Sequence, residues 1–304
     1  MRLFIAFMAI LFLISGCEDS ENRVFKIATN TWPGYEPLYL AKEKKLFGKN
    51  IDVIVYSSAT IVLNKFRNKE IDAAALTLDE AILLNDQGYK PVIIAVMDFS
   101  NGADSLIAKS DIKSLRDLKE KSIGVENSAL GSYMLSRVLE KANLTYKDII
   151  LVPLEVDRHE EAFKENIVDA VITFEPVRSS LINAGGVEIF NSKDIPGEIV
   201  DVLVVQNNMK NSKFIDDIRQ GWKQAVLQIN QRDEDALTII STRLKQSKKE
   251  FIASLDGLVI PSLEESNRLI TNGKLKNTIE KVSNIMFEKK LIKSKPDPQE
   301  MLKR

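Results

Sequence analysis

One cysteine, one histidine and two tryptophans occur among 304 residues, and each scarcity excludes something. A single cysteine cannot close an internal disulfide, and one cysteine with one histidine cannot build a zinc cluster. The lone histidine, His159, stands in Asp157-Arg158-His159-Glu160-Glu161, which reads as a solvated helix face. Excess charge is also missing: 42 basic against 43 acidic side chains leave a formal charge of −1. That balance gives no electrostatic footprint for nucleic acid or for an anionic bilayer. No Gly-x-Ser-x-Gly elbow, phosphate-cradling glycine loop or histidine–cysteine pair occurs, so no catalysis, cofactor or metal is expected.

Long apolar runs are absent too, and the longest lies at the start. Arg2 precedes the uncharged stretch Leu3–Ile14, followed by Ser15, Gly16 and Cys17. As a helix the apolar stretch would reach about 18 Å, well short of a hydrocarbon core of about 30 Å. A positive start, a short apolar run and small residues describe a secretory signal peptide over 1–16. Ile14-Ser15-Gly16-Cys17 resembles a bacterial lipobox, which implies an acylated Cys17 as the first mature residue, with a tether over 17–24. An extracytoplasmic protein held to a membrane by acyl chains is therefore expected.

From Phe25 onward, short β-rich runs alternate with helical patterns. Predicted strands cover Phe25–Thr29, Ile51–Tyr56, Ile71–Leu76, Pro91–Met97 and Ser105–Lys109. Others cover Ser122–Val125, Ile149–Pro153, Val168–Thr173, Val187–Phe190 and Val200–Gln206. Between them Pro37 suits a first helical position, and Thr77 with Glu80 and Ser114 with Asp117 read as capping boxes. Ser128 opens a helix to about Ala142. After Gln206 the patterns are almost exclusively helical, and the tail 293–304 reads as loosely attached. Such alternation argues for an α/β protein with mostly parallel sheets. If 105–109 and 201–206 pair as two crossing hinge strands, then 110–200 is an inserted second lobe. The first lobe would comprise 25–104 and 207–292. A hinge over a cleft makes a ligand clamp.

In open α/β sheets ligands sit beyond the carboxyl ends of the strands, and those loops hold recognisable residues. Asn30-Thr31-Trp32-Pro33-Gly34-Tyr35-Glu36-Pro37-Leu38 leads, followed by Gly88-Tyr89-Lys90-Pro91-Val92 and Asp98-Phe99-Ser100-Asn101-Gly102-Ala103-Asp104. Ser114-Leu115-Arg116-Asp117-Leu118-Lys119, Ile123-Gly124-Val125 and Thr173-Phe174-Glu175-Pro176 come later. Together they resemble the ABC-transporter solute-binding proteins of the nitrate, sulfonate, taurine and thiamine-precursor group, over roughly residues 25–206. The resemblance implies a type II periplasmic-binding-protein fold with a small-molecule solute between two lobes. It further implies an ABC-transporter permease as partner; the receptor itself is expected to act as a monomer.

The candidate ligand-binding residues are Trp32, Tyr35, Ser58, Thr77, Asp98, Asp104, Ser128 and Glu175. Trp32 and Tyr35 lie on the first cleft loop, where an aromatic ring stacks on a flat group or faces a cation, or simply plugs the core. Ser58, Thr77 and Ser128 begin helices, where free N–H groups suit a polar ligand and where plain capping does equally well. Asp98, Asp104 and Glu175 would converge on the cleft and favour a cationic or amine-rich ligand. Alternatively the two aspartates cap the turn at Asn101-Gly102 and Glu175 caps its own helix. Two other uses of the fold stand beside transport: a ligand sensor for a membrane signalling protein, and an enzyme resembling a pyrimidine-precursor synthase.

Overall fold

The computed structural model describes residues 23–303. The expected signal peptide, Cys17 and most of the expected tether lie outside the described residues. Eleven strands form two sheets among the described residues. They are β1 (Phe25–Thr29), β2 (Ile51–Val55), β3 (Ala73–Thr77), β4 (Val92–Ser100) and β5 (Asp104–Ala108). Next come β6 (Ser122–Val125), β7 (Ile150–Pro153), β8 (Ala170–Phe174), β9 (Val187–Asn191), β10 (Val200–Val205) and β11 (Leu258–Val259). The first sheet has the order β11-β4-β10-β3-β1-β2, the second β7-β6-β8-β5-β9. Each combines a parallel β-α portion with antiparallel strands contributed by the crossovers.

Both sheets are sandwiched, and the strand compositions show why. Ala73-Ala74-Ala75-Leu76-Thr77 and Ala170-Val171-Ile172-Thr173-Phe174 are buried at every position, as strands covered by helices on both faces must be. The C-terminal helices Phe214–Asn230, Glu234–Leu244, Lys248–Leu255, Leu263–Thr271 and Lys274–Glu288 return to the first sheet. Ser266, on the fourth of them, accepts a hydrogen bond from the Val96 N–H at 2.8 Å. Trp222 is in the core, as its helical spacing predicts.

Three expectations need correction. The segments 105–109 and 201–206 do not pair: β5 lies between β8 and β9, and β10 between β3 and β4. The chain crosses between the sheets in the links that precede these strands, 101–103 and 192–199. There the Ser100 and Ser192 hydroxyls meet at 2.8 Å, and the Gly102 N–H donates to Ser192 at 2.6 Å. Gly102 has φ +115°, a conformation open to glycine and strained for other residues. The two crossings thus run side by side, tied by these hydroxyls and by backbone pairing at their ends, where the Ser100 N–H donates to the Ile199 carbonyl at 3.1 Å.

The tail expected to be loose is docked over its described residues 293–303. Asp86 accepts hydrogen bonds from the N–H groups of Lys293 and Ser294 and from the Ser294 hydroxyl. Beyond them Met301 is fully buried in the main core. Two adjacent apolar residues in a polar tail, Met301 and Leu302, carry the anchor, too sparse a signal for periodicity to register.

His159 is fully buried, not solvated. It lies with Ala162 and Phe163 on the single inward stripe of the helix Val156–Lys164. Its Nδ1 is 3.1 Å from the Thr173 hydroxyl and its Nε2 3.2 Å from the Leu154 carbonyl. Burial lowers its pKa to about 4, so the ring is neutral and structural.

Candidate functional site

The strand ends that face each other across the two sheets line a narrow pocket in which about 330 Å³, part of it open to solvent, is free of protein atoms. From the first lobe, the loop after β1 supplies Asn30, Trp32 and Tyr35, and the start of the helix Ala59–Arg67 supplies Ala59. Thr77 and Glu80 come from the junction of β3 with the helix Leu78–Asp86, and Asp201 from β10. From the second lobe come Asp104 at the start of β5, Glu126 after β6, Leu130 from the helix Ala129–Ala142, and Phe174 at the end of β8. β5 and β10 run antiparallel to the strands beside them, so their first residues sit on the same rim as the carboxyl ends of the others.

The aromatic part is held rigidly. Pro33 opens a 3-10 turn over Pro33–Tyr35 that turns both Trp32 and Tyr35 inward. Trp32 donates from Nε1 to Asp98 Oδ2 at 3.1 Å and packs edge-on to Phe174, with centroids 5.8 Å apart. Gly34 must be glycine: a Cβ there would fall 1.9 Å from Asp98 Oδ2. The Tyr35 hydroxyl donates to Asp201 Oδ1.

The polar part is acidic and dry. Glu80, Asp104, Glu126 and Asp201 line the cavity, each at most 5% exposed, and no lysine, arginine or histidine does. Glu80 accepts from the Thr77 N–H at 3.1 Å, leaving Oε1 buried without a partner. Asp104 Oδ2 and Glu126 Oε1 are likewise buried and unpartnered. Asp201 and Asp98 are cross-strand neighbours on β10 and β4, where the charge of Asp98 adds to burial in raising Asp201, and Asp201 Oδ2 is buried without a hydrogen-bond partner. Burial pushes Asp98, Asp104 and Glu126 up to about 7, and Glu80 and Asp201 well above the usual carboxylate range. Ionised carboxylates without counterions are costly in such a place, which is the physical cause of the shifts.

Of the residues singled out from the sequence, Trp32, Tyr35, Thr77 and Asp104 line the cavity, and Asp98 lies directly behind Trp32. Three do not join them. Ser58 and Ser128 cap their own helices, accepting from the N–H groups of Ile61 and Gly131. Ser128 borders a separate groove. Glu175 is turned away from the cavity and paired with Arg178 at 2.9 Å and the Ser179 hydroxyl at 2.9 Å. Its carboxylate is already satisfied, so the expected convergence of Asp98, Asp104 and Glu175 is not what forms. Glu80, Glu126 and Asp201 take that place instead.

Among the described residues no three acidic, histidine or cysteine side chains are grouped to hold a metal ion, and no helix is long and apolar enough to cross a membrane.

Residues 18–241 match the model of the NMT1-like family. No curated protein sequence matches the chain. Solved structures do. The periplasmic aliphatic sulphonate binding protein SsuA from Escherichia coli superposes with a TM-score of 0.75 at 18% identity, over 92% of this chain and 97% of that one. The alkanesulfonate-binding protein SsuA from Xanthomonas axonopodis pv. citri, bound to MOPS, gives 0.77 at 15% identity, over 93% and 99%. The periplasmic nitrate-binding protein NrtA from Synechocystis gives 0.63 at 15% identity, over 76% and 69%. These likenesses establish the two-lobed periplasmic-binding-protein fold that the sequence implies.

Proposed function

The chain belongs to the NMT1-like family, and from that premise we propose that it is an extracytoplasmic, lipid-anchored solute-binding protein. It clamps a small cationic or nitrogen-rich solute between its lobes and delivers it to an ABC-transporter permease. The observation that carries this reading is the cavity itself: aromatic walls and four buried acids contributed by both lobes, with no basic side chain among them. A sulfonate or nitrate, the ligands named for the similar structures, would meet carboxylates in this cavity. A cation would supply the missing counter-charge through charge-assisted hydrogen bonds.

Closure supports the clamp. Every acidic side chain of the site is buried in this structure, so a solute enters only when the lobes part. Ion pairs of Lys289 with Glu140 and Lys281 with Glu198 join the lobes at the surface. Ligand binding would add to them and raise the closed population that a permease recognises.

A thermal-shift screen against amines, pyrimidines, sulfonates and nitrate tests the solute class. A ligand present at about 100 times its Kd stabilises by about 2.7 kcal/mol; the shift is expected with amines or nitrogen-rich bases, and a shift with sulfonates alone refutes the reading. The anchor is tested separately, since Cys17→Ser is expected to move the protein from the membrane fraction to the soluble one. Unchanged fractionation would remove lipidation from the account.

A further inference from the structure

The cavity's acids are not one cluster. Glu80 is in the first lobe and feels the charge of Glu126 in the second. Asp201 in the first lobe feels Asp104 in the second, with Asp98 behind it. Each lobe thus contributes to two acidic ends, with Trp32 and Phe174 set edge-to-face among the cavity walls. Unpartnered, fully buried oxygens remain at both: Glu80 Oε1 and Glu126 Oε1 at one, Asp104 Oδ2 and Asp201 Oδ2 at the other. No three of these side chains are close enough to share a metal ion, so a single point charge cannot satisfy them all. A quaternary ammonium offers charge but no N–H, and would leave the same oxygens without donors.

Building on the cation reading of the same cavity, we propose that the solute is a two-ended organic cation with N–H donors at both ends. A protonated diamine is its simplest form, one end held by Glu80 and Glu126 and the other by Asp104. Burial raises the pKa of each carboxyl that receives it. Binding therefore expels protons as each carboxylate takes an ammonium in place of its own hydrogen. Around them stand Tyr35, Asp79, Asp98 and Asp201 as further titratable groups, with Glu155 acting on Glu126 and Glu175 on Asp104, and no basic side chain lines the cavity to compete for the negative charge.

Calorimetric titration of the purified protein tests this, with putrescine and cadaverine as diamines, butylamine as the one-ended analogue and choline as the quaternary one. A second charge-assisted hydrogen-bonded end is worth about a tenfold gain or more, so a diamine is expected to bind at least about tenfold tighter than butylamine or choline. Repeating the titration in buffers of different ionisation enthalpy is expected to show release of about one to two protons. Glu126→Gln is expected to bring diamine affinity down toward that of butylamine. Butylamine or choline binding as tightly as the diamines, or binding without proton release, overturns the two-ended inference and leaves the cation reading standing. Failure of every amine while a sulfonate or nitrate binds overturns both.

Discussion

Replacing Asp104 by Asn and Glu126 by Gln in one chain is expected to lower affinity for the cationic solute by about a hundredfold or more. A hydrogen bond to a charged group contributes about 1.5–3 kcal/mol, so two such bonds contribute about 3–6 kcal/mol, and each 1.4 kcal/mol is tenfold in Kd. The substitutions keep side-chain size and touch residues from one lobe only, so folding of the other lobe is not at issue. Stability is expected to hold or rise at pH 8, because both residues removed are buried acids whose ionisation the fold opposes. An affinity within a few-fold of the wild type would mean that the solute does not meet these carboxylates. Glu175→Gln serves as the contrast: its partners are Arg178 and Ser179, not the cavity, so solute affinity is expected to be unchanged.

The ligand-free protein is expected to melt at a lower temperature at pH 8 than at pH 6. Asp104 and Glu126 have folded pKa values of about 7, raised from 3.8 and 4.5 by burial. Between these values the folded chain keeps protons that the unfolded chain has released, so stability falls as pH rises through the window of about 4 to 7. His159 acts in the opposite sense. Its pKa is lowered by burial from 6.5 to about 4, so its penalty grows as pH falls below 6.5. With one pKa unit worth 1.36 kcal/mol, the two acids together lose about 3 kcal/mol between pH 6 and pH 8 and the histidine returns about 1. The net of about 2 kcal/mol corresponds to a midpoint lower by on the order of 5 °C for a chain of this size. Calorimetric or fluorescence melts at the two pH values measure it. A saturating organic cation is expected to raise the midpoint more at pH 8 than at pH 6, since it binds the ionised acids. A midpoint that rises from pH 6 to pH 8 without ligand would contradict the buried-acid description of the cavity.

The architecture was legible because its signals are repeated. Each predicted strand overlaps an observed one, since buried β-α units write both a short apolar run and a capped helix into the sequence. β11 escaped because two residues, Leu258 and Val259, are too few to show a period. The hinge pairing went wrong for a different reason: two short apolar strands can each find several partners, and nothing local says which.

The site was legible only in part. Thr77 and Asp104 stand out because they end or begin a strand on the cleft rim, and Trp32 and Tyr35 because they lie on the loop that follows β1. Glu80 was visible, but its capping-box position accounts for one carboxylate oxygen and hides that the other faces the cavity. Asp201 looked like the first residue of a hinge strand, and its meaning depends on Asp98 across the ladder and on Tyr35, which lies 166 positions away. Glu126 follows Ile123-Gly124-Val125 at a strand end, so the rule that found Asp104 could have found it too. Glu175 misled because an exact strand-end position says nothing of a local partner; Arg178, three residues on, was the available clue. His159 misled through its charged neighbours, although Ala162 and Phe163 at the next turn mark the same buried stripe.

The central claim is that the closed cavity between the lobes holds a cation against buried carboxylates. A head-to-head titration of one protein preparation with an organic amine and an alkanesulfonate, at pH 8 where the acids ionise most readily, tests it most directly. The account predicts saturable binding of the amine, abolished in the Asp104→Asn, Glu126→Gln variant, and no binding of the sulfonate. Saturable sulfonate binding that survives in that variant, with the amine inert, would contradict it.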